Sequence, residues 1–166
     1  MNIIADTREH REQWERIRKG FERLGVHYER RKLDVGDYQD EDNPLLVVDR
    51  KHNLAEIAQN FTDQRRTREG LLRNRLEDEM IRAQKQGIKI VFLVEHGGSI
   101  KSIEDVQLWK NPRTITSPLA ISGPRIYRKM LAYEKFYGVE FRFCGKQQTA
   151  KRIVEILQEG AEHGEG

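Results

Sequence analysis

The chain has 166 residues and a mass of 19.6 kDa, the size of one domain that can bury a real core. Its single cysteine, Cys144, excludes an intramolecular disulfide and a cysteine-based zinc site. The net charge is only +3, so an argument for nucleic acid must rest on local charge. No apolar run approaches the roughly 20 residues that span a bilayer, and the sequence opens on a strand-like run without a leader. We therefore expect a cytoplasmic protein without a membrane partner.

The first half of the chain alternates short strands with helices. Predicted strands span residues 2–5, 26–33, 35–38 and 45–48, with a turn over 40–44 and helices over 12–24, 54–61 and 67–86. The first helix is predicted from Trp14, Ile17 and Phe21, which recur at three- and four-residue spacings. The long charged helix over 67–86 is predicted in the same way from Leu76 and Met80, together with Leu72 and Ala83.

The second half begins with the most hydrophobic run, residues 88–94, which predicts a buried central strand. Three of the four prolines then fall within residues 112–124, which predicts a loop or wing rather than a packed element. A helix over 124–137, a strand over 139–144 and a helix over 149–158 follow. The alternation predicts a single α/β domain over residues 1–159, in three α/β/α layers with a central mixed sheet. Residues 160–166 are predicted to be a flexible tail.

Acidic residues fall at the ends of three predicted strands, as Asp6, Asp37 and Asp49, and the last is followed by Arg50 and Lys51. Residues two apart on a strand share a face, so Asp49 and Lys51 converge while Arg50 points away. Carboxylates hold the hard cations that assist phosphodiester hydrolysis, and a nearby ammonium orients water or offsets charge on the phosphate. The alternative is that these are solvated charges at strand ends.

Three ordered motifs resemble the XPF family of nucleases, within the PD-(D/E)XK superfamily. They are residues 3–9 (IIADTRE), residues 33–38 (LDVGDY) and residues 47–51 (VVDRK). The apolar strand over 88–95 matches the strand that follows the family's long helix, and beyond residue 100 the resemblance is weak. The resemblance implies a restriction-endonuclease-like fold.

It also implies a metal-dependent endonuclease that acts on branched or distorted duplex DNA, such as a flap, fork or junction. Asp37 and Asp49 are implied metal ligands, and Asp6 is implied to support the metal directly or through water. We expect Mg²⁺, with Mn²⁺ able to substitute, because all the donors are oxygens. The family's usual glutamate is Asp49 here, and the superfamily accepts either acid.

The other motif residues have implied roles around the reacting phosphate. Lys51 is implied to position or activate water, and Arg8 to pair with an acid or contact the scissile phosphate. Arg50 is implied to lie on the outer face, and a structural ion pair is the alternative for both arginines. Where the family often has an aspartate four residues after the lysine, this chain has Ala55, and the neighbouring Glu56 is the candidate replacement.

Arginines are concentrated after the D-R-K strand. Between residues 62 and 75 there are five arginines and two acids, which predicts either a grip on phosphates or a solvated helix start. Arg113 and Arg125 mark a second candidate patch. The candidate DNA-binding residues are Arg65, Arg66, Arg68, Arg73, Arg75, Arg113 and Arg125. No nucleotide cofactor is expected, because the sequence around Gly145 and Lys146 lacks the other residues of a phosphate loop.

Other functions and assemblies stay open. The chain could be an inactive DNA-binding or partner subunit, or a nuclease of low structure selectivity in mobile-element or defence DNA processing. The helix-hairpin-helix domain that usually follows this nuclease is absent from the sequence, so a junction preference would come from this domain, a second copy or a partner. A homodimer is predicted from an excess of apolar residues on one helix, with packing on the chain's own sheet as the alternative. These residues are Tyr127, Met130, Leu131, Tyr133 and Phe136.

Overall fold

The computed structural model describes residues 1–164, and the side chains of residues 1–162. The strands are β1 (Asn2–Ala5), β2 (His27–Arg30), β3 (Tyr38–Asp40), β4 (Asn43–Lys51), β5 (Gln64–Arg66), β6 (Leu72–Asn74), β7 (Lys89–Glu95) and β8 (Glu140–Cys144). The α-helices are α1 (Arg11–Arg23), α2 (Leu54–Thr62), α3 (Arg75–Lys85), α4 (Gly123–Tyr137) and α5 (Thr149–Gly164). Short 3₁₀ helices lie at Ile103–Leu108, Pro112–Ile115 and Lys146–Gln148. Across the described residues, no helix combines the length and the apolar character needed to cross a membrane.

Six strands form the central sheet, in the order β2-β1-β3-β4-β7-β8. β3 is antiparallel to both of its neighbours, whereas the other neighbouring pairs are parallel. Alternate side chains of β7 face opposite layers: Ile90 and Phe92 pack with α2, α3 and α4, and Val91 and Leu93 pack with α1 and α5. The predicted three-layer fold with a mixed sheet is confirmed.

The LDVGDY motif is a bent loop rather than a strand, which corrects the prediction for residues 35–38. The strand begins only at Tyr38, so Asp37 precedes it instead of ending one. Gly36 has a φ of +75°, and a Cβ at this position would lie 2.7 Å from the Cβ of Val47. Only glycine meets both conditions without strain, and the loop can therefore fold closely onto β4.

The long helix predicted over 67–86 is also corrected, because α3 begins only at Arg75. Residues 64–74 form instead the two-stranded arginine hairpin, made of β5 and β6. The side chain of Asn74 caps the helix by accepting a 2.8 Å hydrogen bond from the backbone N–H of Glu77. Leu72, which extended the apolar pattern backwards, is 54% exposed and lies on the hairpin.

The proline-rich stretch is a largely exposed loop with one short 3₁₀ helix, as predicted: Ile115 and Leu119 are each 88% exposed, and the stretch is anchored to the core only at its ends. Val106 and Ile121 are buried in the same core as α4. The buried side chain of Asn111 donates a 2.9 Å hydrogen bond to the backbone carbonyl of Ile121 and caps the 3₁₀ helix that begins at Pro112. Proline suits that first position because its missing N–H has no helical partner there.

The last helix is longer than predicted, since α5 continues past residue 158 to Gly164. Gly160 lies against the sheet, where an added Cβ would meet the side chain of Leu46 at 2.2 Å. Residues 160–164 of the expected tail are therefore helical, and residues 165–166 lie outside the described residues.

Candidate active site

β4 carries Asp49 and Lys51 on the face of the sheet that α2 and α3 cover. The Lys51 Nζ lies 3.0 Å from Asp49 Oδ1, and only 12% and 7% of the two side chains are exposed. Burial alone would lower the pKa of Lys51, but the carboxylates of Asp49 and Glu79 outweigh it and raise this pKa above its usual range. The ammonium is therefore held charged beside the aspartate, as the two-residue spacing predicted.

Asp37 reaches the same place from the bent loop. Its Oδ2 accepts a 2.8 Å hydrogen bond from the backbone N–H of Arg50, and its own N–H donates to the carbonyl of Val48 at 2.9 Å. Burial, and next the negative charges of Asp49 and Glu9, raise the pKa of Asp37 well above its usual range. Asp37 from the loop and Asp49 from β4 thus share one site, where their negative charges repel each other.

Glu79 on α3 is a third carboxylate at this site. It lies outside the three sequence motifs and was not among the predicted site residues. Its Oε1 accepts a 3.1 Å hydrogen bond from the backbone N–H of Gly36. Burial, and next the neighbouring Asp49, raise the pKa of Glu79 to about 8. A signal was present, because a glutamate beside Leu76 and Met80 occupies a position on the helix face that normally packs into the core.

A polar cleft of about 370 Å³ opens beside these residues. It is lined by Lys51, Glu56, Asn60, Arg65, Arg75, Asp78, Glu79 and Arg82. Glu56, the candidate replacement for the family's later aspartate, is on this wall, but its Oε2 accepts a 2.6 Å hydrogen bond from the backbone N–H of His52. The mixture of acids and arginines fits a phosphate group held next to a cation better than an apolar ligand.

Asp6 is tied to the segment that carries Asp37. The buried Asp6 carboxylate accepts hydrogen bonds from Arg8 Nε at 2.7 Å and from the backbone N–H of Leu33 at 2.8 Å. The backbone N–H of Asp6 also donates to the carbonyl of Asp37 at 2.7 Å. The hydrogen bond from Arg8 to Asp6 raises the pKa of Arg8. These contacts anchor the loop, and the Arg8 side chain is 59% exposed beside it.

Arg50 points to the opposite face of the sheet, as the alternation predicted. Its guanidinium donates two hydrogen bonds to Glu9, at 3.0 and 2.7 Å, and lies 3.5 Å from Glu95 Oε2. Burial would lower the pKa of Arg50, but Glu9 and Glu95 raise it above its usual range. Glu95 also pairs with Arg16 at 2.7 Å. Arg50 therefore belongs to a buried ion-pair network, whose acids Glu9 and Glu95 the sequence analysis did not identify.

The residues on the α2 and α3 face fit a magnesium ion in their donor chemistry. Within residues 1–164 no group of three or more His, Cys, Asp or Glu side chains forms a ready-made metal site. However, Asp49 Oδ1 is buried without a hydrogen-bond donor, since its contact with Lys51 is an ion pair only. Mg²⁺ is commonly held by one or two carboxylates, with water and substrate phosphate completing its shell. Asp37 and Asp49 meet that requirement.

The arginine hairpin lies next to the cleft. Arg65 and Arg73 are directly opposite each other on its two strands, an arrangement of like charges that costs free energy unless an anion lies between them. Arg65 and Arg75 line the cleft, and Arg66 donates to the carbonyl of Gly70. In the described part of the chain, none of the five arginines between residues 65 and 75 forms an ion pair, whereas seven of the other fourteen do.

Arg113 and Arg125 do not join this group. Arg113 hydrogen-bonds to Gln59 and lines a separate small cavity of about 100 Å³, and Arg125 is exposed in the first turn of α4. Neither residue lines the cleft.

Comparisons with known proteins agree with the geometry. The model of the ERCC4 domain family matches residues 5–156. XPF from Aeropyrum pernix has a similar structure, with a TM-score of 0.66 and 22% sequence identity over 97% of this chain and 65% of that chain. The structure of XPF from Aeropyrum pernix in complex with DNA matches with a TM-score of 0.65 and 20% identity, over the same shares of the two chains. No curated protein matches the sequence. The resemblance of the three motifs is confirmed, and the chain belongs to the ERCC4 domain family, with the fold of an XPF nuclease domain.

Proposed function

We propose that this chain is a divalent-metal-dependent DNA endonuclease. The observation that carries the proposal is the meeting of Asp37, Asp49 and Lys51 from a loop and a strand at the edge of an arginine-lined cleft. Membership of the ERCC4 domain family, and the likeness of the fold to XPF in complex with DNA, support DNA as the substrate. An inactive subunit is disfavoured, because both aspartates and the lysine are present and close together.

The chain's own residues would divide the work of hydrolysis as follows. Asp37 and Asp49 would hold the cation through carboxylate oxygens. Bound Mg²⁺, or Mn²⁺ in its place, supplies polarisation of the scissile phosphate and a more acidic water. Lys51 Nζ, 3.0 Å from Asp49, would orient water and offset charge on the phosphate. Asp6 acts one step away, by anchoring the loop that carries Asp37.

We propose that the substrate is branched or distorted duplex DNA. The test is to incubate the chain with labelled flap, fork, four-way-junction and linear duplex DNA in Mg²⁺, in Mn²⁺ and in EDTA. We expect the branched substrates to be cleaved in Mg²⁺ and in Mn²⁺. No substrate should be cleaved in EDTA. Equal cleavage of linear duplex would favour the less selective nuclease, and binding without cleavage would favour the inactive subunit.

We propose that the arginine hairpin binds DNA phosphates. Replacing Arg65 and Arg73 together with alanine should lower the slope of log K against log salt by about 2, since each phosphate contact releases about 0.9 counterion. Affinity should fall for every DNA shape, because phosphate contacts carry no sequence information. Binding titrations over a range of salt concentrations measure the slope. The double variant Arg23→Ala and Arg31→Ala removes the same charge elsewhere and should leave the slope unchanged. If the hairpin variant has the same slope of log K against log salt as the wild type, the hairpin does not bind phosphates.

A homodimer is proposed through the exposed part of α4. Met130 and Tyr133 are buried in the chain's own core, whereas Leu131 and Phe136 are 40% and 69% exposed. Replacing Phe136 with glutamate should therefore shift the chain from dimer to monomer without loss of thermal stability. Light scattering measures the mass, and a wild type that is monomeric at high concentration contradicts the proposal.

A further inference from the structure

Glu79 is a half-buried carboxylate in a place where helix α3 would ordinarily carry an apolar side chain. Leu76, Met80 and Ala83 pack into the core on the same side of the helix. Glu79 lines the polar cleft together with Lys51, outside the three motifs that mark the family. An acid kept at a core position needs a partner that compensates for its lost hydration.

The chain supplies only part of that compensation. One oxygen of Glu79 accepts the N–H of Gly36, a neutral donor. Glu79 lies close enough to Asp49 for the charge of that carboxylate to raise its pKa, and Lys51, which pairs with Asp49 at 3.0 Å, lines the same cleft as Glu79. Two carboxylates close together repel unless a proton or a cation lies between them. Asp49 Oδ1 accepts no hydrogen bond and contacts only the ammonium of Lys51, so a divalent cation would share or displace that contact.

We propose that Glu79 is a third carboxylate ligand of the divalent cation, supplied by α3 beside Asp37 and Asp49. The inference rests on the proposed function. Without a cation the three acids do not converge into a ready-made site, which is expected of like charges that repel. Glu79 would thus supply a carboxylate that this chain lacks at Ala55, whereas the neighbouring Glu56 accepts a hydrogen bond from the backbone of His52.

The competing explanation is that Glu79 only anchors the Gly36 loop. The substitution Glu79→Gln separates the two roles, because the amide oxygen still accepts the N–H of Gly36 while the negative charge is lost. Glu79→Asp keeps the charge on a side chain one methylene shorter. Asp78→Asn is the matched control, since it removes one negative charge from the same helix and the same cleft wall.

The experiment measures Mn²⁺ binding to the full chain without DNA, by titration calorimetry and by the shift of the melting midpoint in saturating MnCl₂. Glu79→Gln should weaken binding by about tenfold or more and reduce the Mn²⁺-dependent midpoint shift. Asp78→Asn should change the affinity by less than about threefold, and Glu79→Asp should bind more tightly than Glu79→Gln. Melts without metal verify that each variant is folded.

Three results would overturn the inference, and they are distinguishable. Wild-type affinity in Glu79→Gln removes Glu79 from the site but leaves the proposed function intact. Equal losses in Glu79→Gln and Asp78→Asn would mean that the affinity follows the charge of the cleft rather than a specific ligand. A wild type that binds no Mn²⁺ would overturn both this inference and the metal dependence of the proposed function.

Discussion

Replacing Asp37 with asparagine, or Lys51 with alanine, is expected to lower the rate of DNA cleavage by at least about a hundredfold, while DNA affinity stays within a few-fold. Asp37→Asn removes a negatively charged ligand from the metal site but keeps an oxygen that accepts the N–H of Arg50. It also removes a carboxylate whose pKa burial has raised, so no loss of stability is expected. Lys51→Ala removes the only ammonium beside Asp49 in the described site.

Single-turnover cleavage at saturating protein separates the chemical step from binding, which a gel-shift titration in Ca²⁺ measures independently. Asp34→Asn and Lys32→Ala are matched controls, because both residues are exposed on the same loop and contact neither Asp49 nor Lys51. Both controls should cleave at close to the wild-type rate. Undiminished cleavage by Asp37→Asn or Lys51→Ala would place the active site elsewhere in the chain.

Replacing Arg50 with alanine is expected to lower the free energy of unfolding by about 3–5 kcal/mol. Only 8% of its side chain is exposed, and its loss would leave the buried carboxylates of Glu9 and Glu95 without their shared cation. Most of the cost comes from Glu9, which would keep only the hydroxyl of Tyr38 as a donor, whereas Glu95 would still pair with Arg16. The double variant Arg50→Ala with Glu9→Gln should therefore recover part of the stability.

Urea denaturation at neutral pH measures the effect. Arg31→Ala is the matched control, because Arg31 also pairs with two glutamates, Glu29 and Glu41, but is 54% exposed. Solvent screens that pair of contacts, so the control should lose less than about 1 kcal/mol. A loss of similar size in both variants would mean that burial of the Arg50 network does not matter to stability.

The elements predicted correctly are those whose pattern is local and strong. Runs or regular spacings of apolar residues predict β1, β7, α1 and α2. In each case the whole pattern lies within the element's own segment. The D-R-K spacing on β4 likewise fixes which side chains share a face, and the observed pairing of Asp49 with Lys51 follows from that geometry.

The secondary-structure predictions were wrong where one local sequence pattern was compatible with two different structures. Leu72 stands four residues before Leu76, so it extends the helical spacing of α3 backwards, although the chain caps the helix at Asn74. The strand pattern of residues 35–38 likewise fits a bent loop, because Gly36 has a positive φ that lets the loop fold onto β4.

The sequence by itself determined the layered fold, the family and the motif residues Asp37, Asp49 and Lys51, because each depends on spacing within a short segment. Only the tertiary structure decided which distant groups join them. Glu79 meets the loop at Gly36 across 43 residues, and Glu9 meets Arg50 across 41. Such contacts depend on how helices and strands are packed against one another, which no local periodicity encodes. Helical spacing marks Glu79 as an acid on the packed face of α3, but only the folded structure shows that it reaches the loop at Gly36.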